Sequence, residues 1–147
     1  MKKTIAIIIV ALMGTLVYAD TQVSIELVDA IGMVESGFDP KAIGDNGKAV
    51  GILQIHKAYV DDVNRILGRN VYTYEDRWDA GKSYSMAFVY LNHYGRRYKR
   101  ITGNDPTMEV FARIHNGGPN GWKKYATKEY GDRCVRVYDV IRTKSQK

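Results

Sequence analysis

The stretch Val34-Glu35-Ser36-Gly37-Phe38-Asp39-Pro40-Lys41-Ala42, followed by Gly51-Ile52-Leu53-Gln54-Ile55, decides the reading of this chain. Upstream of it, Ser24 can cap a helix running to about Ser36, with Ile25, Leu27, Val28, Ile31 and Val34 as its apolar face. Gly37 suits the left-handed residue that ends such a helix, and Pro40 prevents its continuation. Glu35 therefore falls in the last turn, where the partial negative charge of the helix end disfavours an ionised carboxylate. Met33, Val34 and Phe38 are expected to add desolvation, which also favours the protonated form. A carboxylic acid kept protonated near neutral pH is what protonation of a glycosidic oxygen requires. The plainer alternative is a solvated surface glutamate.

Asp45-Asn46-Gly47 is a turn signal, and the apolar run Ala49 to Ile55 follows it. The two together predict a small hairpin or an irregular strand lobe. Asp45 reads equally as turn chemistry and as a second carboxylate across a cleft from Glu35. Gln54 is the polar residue in the run Gly51 to Ile55, which reads as an apolar strand. Its amide could serve a sugar amide or hydroxyl, or simply face outward. His56 follows and could face the cleft or solvent.

The rest of the chain reads as helices. Tyr59, Val60, Val63, Ile66 and Leu67 share one helical face, with Gly68 as a stop. A longer helix is expected from Arg77 to about Lys99 behind Asp76, burying Trp78, Tyr84, Phe88 and Leu91. Asp105-Pro106 reads as the cap and first residue of a helix ending near His115. Asn116 to Gly121 reads as a tight loop. His115 and Asn116 would then stand at a cleft wall, or only cap the helix. Tyr94, Tyr98, Trp122 and Tyr125 could offer faces to sugar rings, or could pack. Thr127 is the expected cap of a last helix whose stripe is Tyr130, Cys134, Val137, Tyr138 and Ile141. Cys134 reads as a buried small hydrophobe rather than a nucleophile.

Of 147 residues, 45% are hydrophobic and 26% charged, which excludes wholesale disorder, and a single cysteine excludes an internal disulfide framework. Lys2 and Lys3 precede the apolar run Ile5 to Val17, and Val17-Tyr18-Ala19 offers a cleavage site. Residues 1–19 are thus expected to be a signal peptide and residues 20–147 one domain, secreted or periplasmic, monomeric and without a stable membrane anchor. The run is shorter than the ~20 apolar residues a span needs. The formal charge is +6, or +4 without the two lysines of the leader. That charge suits a solvated basic surface or an anionic envelope polymer; in an exported chain without a dense basic run, nucleic acid is not the expected partner.

Together these motifs resemble those of the lysozyme-like superfamily. Val34 to Ala42 with Gly51 to Ile55 is similar to the signature of soluble-type lytic transglycosylases, the SLT domain. Ala112-Arg113-Ile114-His115-Asn116-Gly117-Gly118-Pro119-Asn120-Gly121 is similar to invertebrate-type lysozymes, or destabilases. Gly44-Asp45-Asn46-Gly47 is similar to goose-type lysozymes. The resemblance spans roughly Ile25 to Val140. It implies an α+β, mostly helical lysozyme-like fold with a small β-hairpin lobe beside the cleft. It further implies a glycosidase acting on peptidoglycan glycan strands at the bond between N-acetylmuramic acid and N-acetylglucosamine, without metal or cofactor. Glu35 would be the general acid and Asp45 the second acid, with Gln54, His56, His115 and Asn116 binding substrate. The chain departs from each group. Phe38 and Trp122 stand where invertebrate-type lysozymes carry cysteines, His115 where soluble-type transglycosylases carry tyrosine, and His56 where goose-type lysozymes carry aspartate. A wall-binding module without turnover and a destabilase-type isopeptidase are the rival readings.

Overall fold

The computed structural model describes residues 23–145, so the expected leader at 1–19 lies outside the described residues. Among the described residues five α-helices surround one core: α1 Ile25–Ser36, α2 Lys57–Leu67, α3 Ala80–Thr102, α4 Met108–Gly117 and α5 Lys128–Ser145. Between α1 and α2 lies a two-stranded antiparallel sheet, β1 Ile43–Gly44 and β2 Ala49–Val50. Ile43 pairs with Val50 and Gly44 with Ala49, and the turn Asp45–Gly47 joins them. The expected mostly helical fold with a small β lobe is what the chain adopts.

Helix α1 forms where its sequence predicts. Ser24 accepts from the Leu27 amide at its start, and Gly37, at φ 64°, takes the left-handed conformation that closes it. Leu27, Val28, Ala30 and Ile31 are buried. Leu27, Val28 and Ile31 join Leu53 and Ile55 from the lobe, Val60 and Val63 from α2, Met86 and Leu91 from α3, and Phe111 and Ile114 from α4 in the core. Helix α5 closes the core by packing on α1 and α4, with Cys134 buried as expected.

Several local expectations give way. Residues 51–54 form a turn, not a strand, and only Val50 and Ile55 bridge across it. The turn is enforced by close approach: a Cβ on Gly51 would lie 2.1 Å from the Arg77 carbonyl oxygen, and Gly51 has φ 77°. The long helix starts after Asp79, not Asp76. Asp76 is spent in a capping box with Thr73 that begins a separate 3-10 turn, Tyr74–Trp78, while Asp79 accepts from the Lys82 amide. Trp78 is consequently 36% exposed instead of buried. Helix α4 is capped by Thr107, which accepts from Val110, rather than by Asp105. It extends through Asn116 and Gly117, because the Gly118 amide still reaches the Ile114 carbonyl at 2.9 Å. Thr127 does not serve as the expected cap. Its hydroxyl lies 2.7 Å from the Gly121 carbonyl oxygen and 2.8 Å from that of Lys124.

Arg77 is a charged side chain buried at 5% exposure. Its guanidinium donates to three backbone carbonyls: Tyr74 at 2.7 Å, Lys48 at 3.2 Å and Ile55 at 3.1 Å. The β lobe is thereby fastened to the segment leading into α3. Ser36 adds a second tie by donating to the Ile52 carbonyl at 2.8 Å.

Candidate active site

A cleft of about 800 Å³ runs between the β lobe and the helical body. Glu35, Asp45, Gln54, His56, His115 and Asn116 all line it. The fold thus brings together all six residues singled out from the sequence, from the end of α1, the lobe, the start of α2 and the end of α4.

Glu35 is held by α5. Tyr130, itself buried, donates its hydroxyl to Glu35 Oε1 at 2.6 Å. The partners of the carboxyl group are therefore Tyr130 and, at 3.7 Å, His115 Nε2. Met33 and Phe38, expected to cover it, are 44% and 38% exposed. With Oε1 taken by the tyrosine hydrogen, Oε2 is the atom at which an acid proton can be carried and passed on. Burial pushes the Tyr130 phenol well above its ordinary range, and the neighbouring Glu35 charge adds to this, so the hydroxyl stays a donor.

His115 ends up with its nitrogens facing protein rather than open cleft. Nε2 lies 3.1 Å from the Leu53 carbonyl oxygen, and Nδ1 lies 3.4 Å from Tyr59 Oη. A carbonyl only accepts, so Nε2 carries the hydrogen and Nδ1 of the neutral ring accepts from the tyrosine. Burial pushes the imidazole below its ordinary value, against the opposing pull of the Glu35 carboxylate.

On the lobe, Asp45 and Asn46 have φ of 46° and 53°, the left-handed region that short polar side chains tolerate. Asp45 Oδ2 lies 3.5 Å from His56 Nε2, and both side chains are about half exposed to the cleft. Gln54, at φ 49°, turns its amide nitrogen inward, donating to the Ala42 and Gly51 carbonyls at 3.1 and 3.0 Å. Its carboxamide thus braces the turn, and Oε1 packs against Gly44. Asn116 is exposed at the opposite wall.

The aromatic lining differs from expectation. Tyr59 and Tyr90, stacked at 3.8 Å, face the cleft. Tyr94 is buried, Tyr98 packs edge-on against Trp122 at 5.0 Å, and Tyr125 is 91% exposed away from the cleft lining. Asp61, Asp62 and Arg65, which line the cleft, and Tyr130, which holds Glu35, are charged or polar residues that sequence reading missed. Tyr130 was visible only as a member of an apolar stripe, whose spacing does not reveal that its hydroxyl reaches α1.

The Transglycosylase SLT domain family matches residues 18–135. Invertebrate-type lysozyme 6 of Caenorhabditis elegans is 32% identical over 127 residues, covering 82% of this chain and 91% of the relative. Among solved structures, a chain in the crystal structure of Aeromonas hydrophila PliI in complex with Meretrix lusoria lysozyme superposes with a TM-score of 0.64. It is 28% identical, with 78% of this chain and 90% of that one covered. Tapes japonica lysozyme gives a TM-score of 0.61 at 26% identity, covering 76% and 87%. With the SLT match extending over most of the sequence, and an invertebrate-type lysozyme aligned along nearly its full length, this chain belongs to the lysozyme-like superfamily.

Proposed function

We propose that residues 20–147 form an exported glycosidase that cleaves the β-1,4 bond between N-acetylmuramic acid and N-acetylglucosamine in peptidoglycan. One observation carries the reading: a carboxyl at a helix end, its Oε1 held by Tyr130, opens on a cleft whose far wall bears Asp45. Glu35 gives its proton to the glycosidic oxygen as the C1–O bond breaks. Asp45 stabilises the positive charge developing at C1. Water then adds at C1 and returns a proton to Glu35, leaving a reducing end. Tyr59 and Tyr90, buried and stacked on one another, add apolar wall to the cleft that takes the sugar rings.

Lysozyme relatives favour water as the acceptor, whereas the SLT match favours a second reading, attack by the muramyl 6-hydroxyl to give a 1,6-anhydro end. Mass spectrometry of products from purified peptidoglycan decides between them. Glu35→Gln removes cleavage in both cases, a loss of at least roughly 10²-fold. Asp45→Asn abolishes reducing ends in the hydrolytic reading and leaves 1,6-anhydro formation largely intact in the other. Full activity of Glu35→Gln overturns both. Turbidity of a wall suspension that falls with added protein separates an enzyme from a wall-binding module. Against a destabilase-type isopeptidase stands the engagement of both His115 nitrogens by protein atoms.

A further inference from the structure

Beyond one end of the cleft lies a second depression of about 500 Å³, which shares Asp61 and Arg65 with the first. Asn64 lines it, its carboxamide tying α2 to the segment beyond by accepting from the Val71 and Tyr72 amides at 2.9 Å and donating to the Tyr72 carbonyl at 2.8 Å. Its rim carries Arg65 and Arg69 on either side of Gly68. Arg65 is held in place: Nε donates to Asp62 at 2.9 Å, and Nη2 reaches both Asp62 and Tyr94 Oη. Its Nη1 has no hydrogen-bond partner among the described residues, and neither has the Arg69 guanidinium. Asp61 presents a carboxylate there, one oxygen of which accepts from Tyr74 Oη at 2.9 Å.

Beyond the rim, burial and then the charges of Arg65 and Arg96 hold the His93 imidazole below its ordinary value, with Asp62 pulling the other way and Arg100 adding to the lowering. Arg96 and Arg100 are both exposed on α3. An oriented guanidinium with a free edge, a second one just past the left-handed end of α2, and a carboxylate acceptor lining the same depression suit a ligand with both carboxylates and amide N–H groups.

We propose that this depression seats the peptide attached to the glycan, taking a peptide carboxylate on Arg65 and Arg69 while Asp61 accepts a peptide N–H. The inference rests on the reading of the cleft as a glycan site: a strand lying in that cleft carries its peptide on the lactyl group of each muramyl sugar. The depression is then a specificity site, selecting peptide-bearing over bare glycan.

Calorimetry on the full chain carrying Glu35→Gln tests it with two probes, a peptide-bearing muramyl disaccharide and the same disaccharide without peptide. The peptide-bearing probe is expected to bind roughly tenfold more tightly, and Arg69→Glu to erase that preference without lowering the melting temperature. Should Arg69→Glu melt early, Arg69→Gln, which removes the charge alone, is read in its place. Equal binding of the two probes, or a preference untouched by the folded Arg69 variant, overturns the proposal. Turnover by the unsubstituted chain is measured separately, so failure of the glycosidase reading is seen as absent cleavage whichever way the probes bind.

Discussion

His115 Nε2 lies 3.1 Å from the Leu53 carbonyl oxygen, which couples the end of α4 to the turn of the β lobe. His115→Phe fills the space but leaves that buried carbonyl without its donor. An unmade buried hydrogen bond costs about 1–3 kcal/mol. The variant is expected to lose stability of that order in urea denaturation and to lose turnover as the lobe shifts. Unchanged stability with unchanged turnover would show that the bond couples nothing.

Acid should weaken the fold through the same residue. The folded-state value of His115 is held below the ordinary 6.5, chiefly by burial. Above 6.5 both folded and unfolded chains carry the ring neutral, and its contribution is complete. As pH falls below 6.5 the unfolded chain takes up the proton first, so stability drops until the folded value is passed. His93, also held low, acts in the same direction. Melting curves across this window should show a shallower decline for His115→Gln than for the unsubstituted chain. Parallel declines would remove His115 as a source of the acid sensitivity.

Tyr130→Phe removes one oxygen and leaves the ring. Glu35 then loses the donor at 2.6 Å that fixes its orientation. A hydrogen bond to a charged group contributes about 1.5–3 kcal/mol, so kcat on wall fragments should fall roughly tenfold or more while KM changes little. A rise in KM at constant kcat would instead place Tyr130 in substrate binding.

Arg77→Met takes away donors to the Tyr74, Lys48 and Ile55 carbonyls while keeping apolar bulk. The expected loss is roughly 2–4 kcal/mol. Hydrogen exchange should show protection lost first at Val50 and Ile55, whose amides pair across the lobe turn. Uniform loss over all helices would mean that Arg77 supports the core and not the lobe.

Cys134 is buried beside Tyr130, and burial pushes its thiol up to about 11. It should resist alkylation in the folded chain at mildly alkaline pH and react fully in urea. Rapid labelling of the folded protein would show that α5 opens readily.

What the sequence made legible follows from range. Ser24, Gly37 and Gly68 act within a turn of their own helices, and α1 and α2 fall where those residues put them. The Asp45-Asn46-Gly47 turn is equally local. Expectations failed where two neighbouring residues competed for one job, as Asp76 with Asp79 and Asp105 with Thr107, because a cap is chosen by what the losing side chain can bind instead. Asp76 has Thr73 and Lys82 to bind. The strand expected at 51–55 failed for a long-range reason, the Arg77 backbone pressed against Gly51. Glu35 was legible as a helix-end carboxylate. Its clamp was not, since Tyr130 is 95 positions away and betrays nothing of its hydroxyl's direction.

That separation sets an order of events during synthesis. The carboxylate emerges early in translation, and the phenol that steadies it emerges among the last elements, on a helix that must still dock against α1 and α4. A nascent chain, or a fragment cut between α4 and α5, carries the acid untethered. The contact that fixes the carboxylate is therefore among the last the growing chain can make, and Glu35 takes its settled orientation only once α5 has docked.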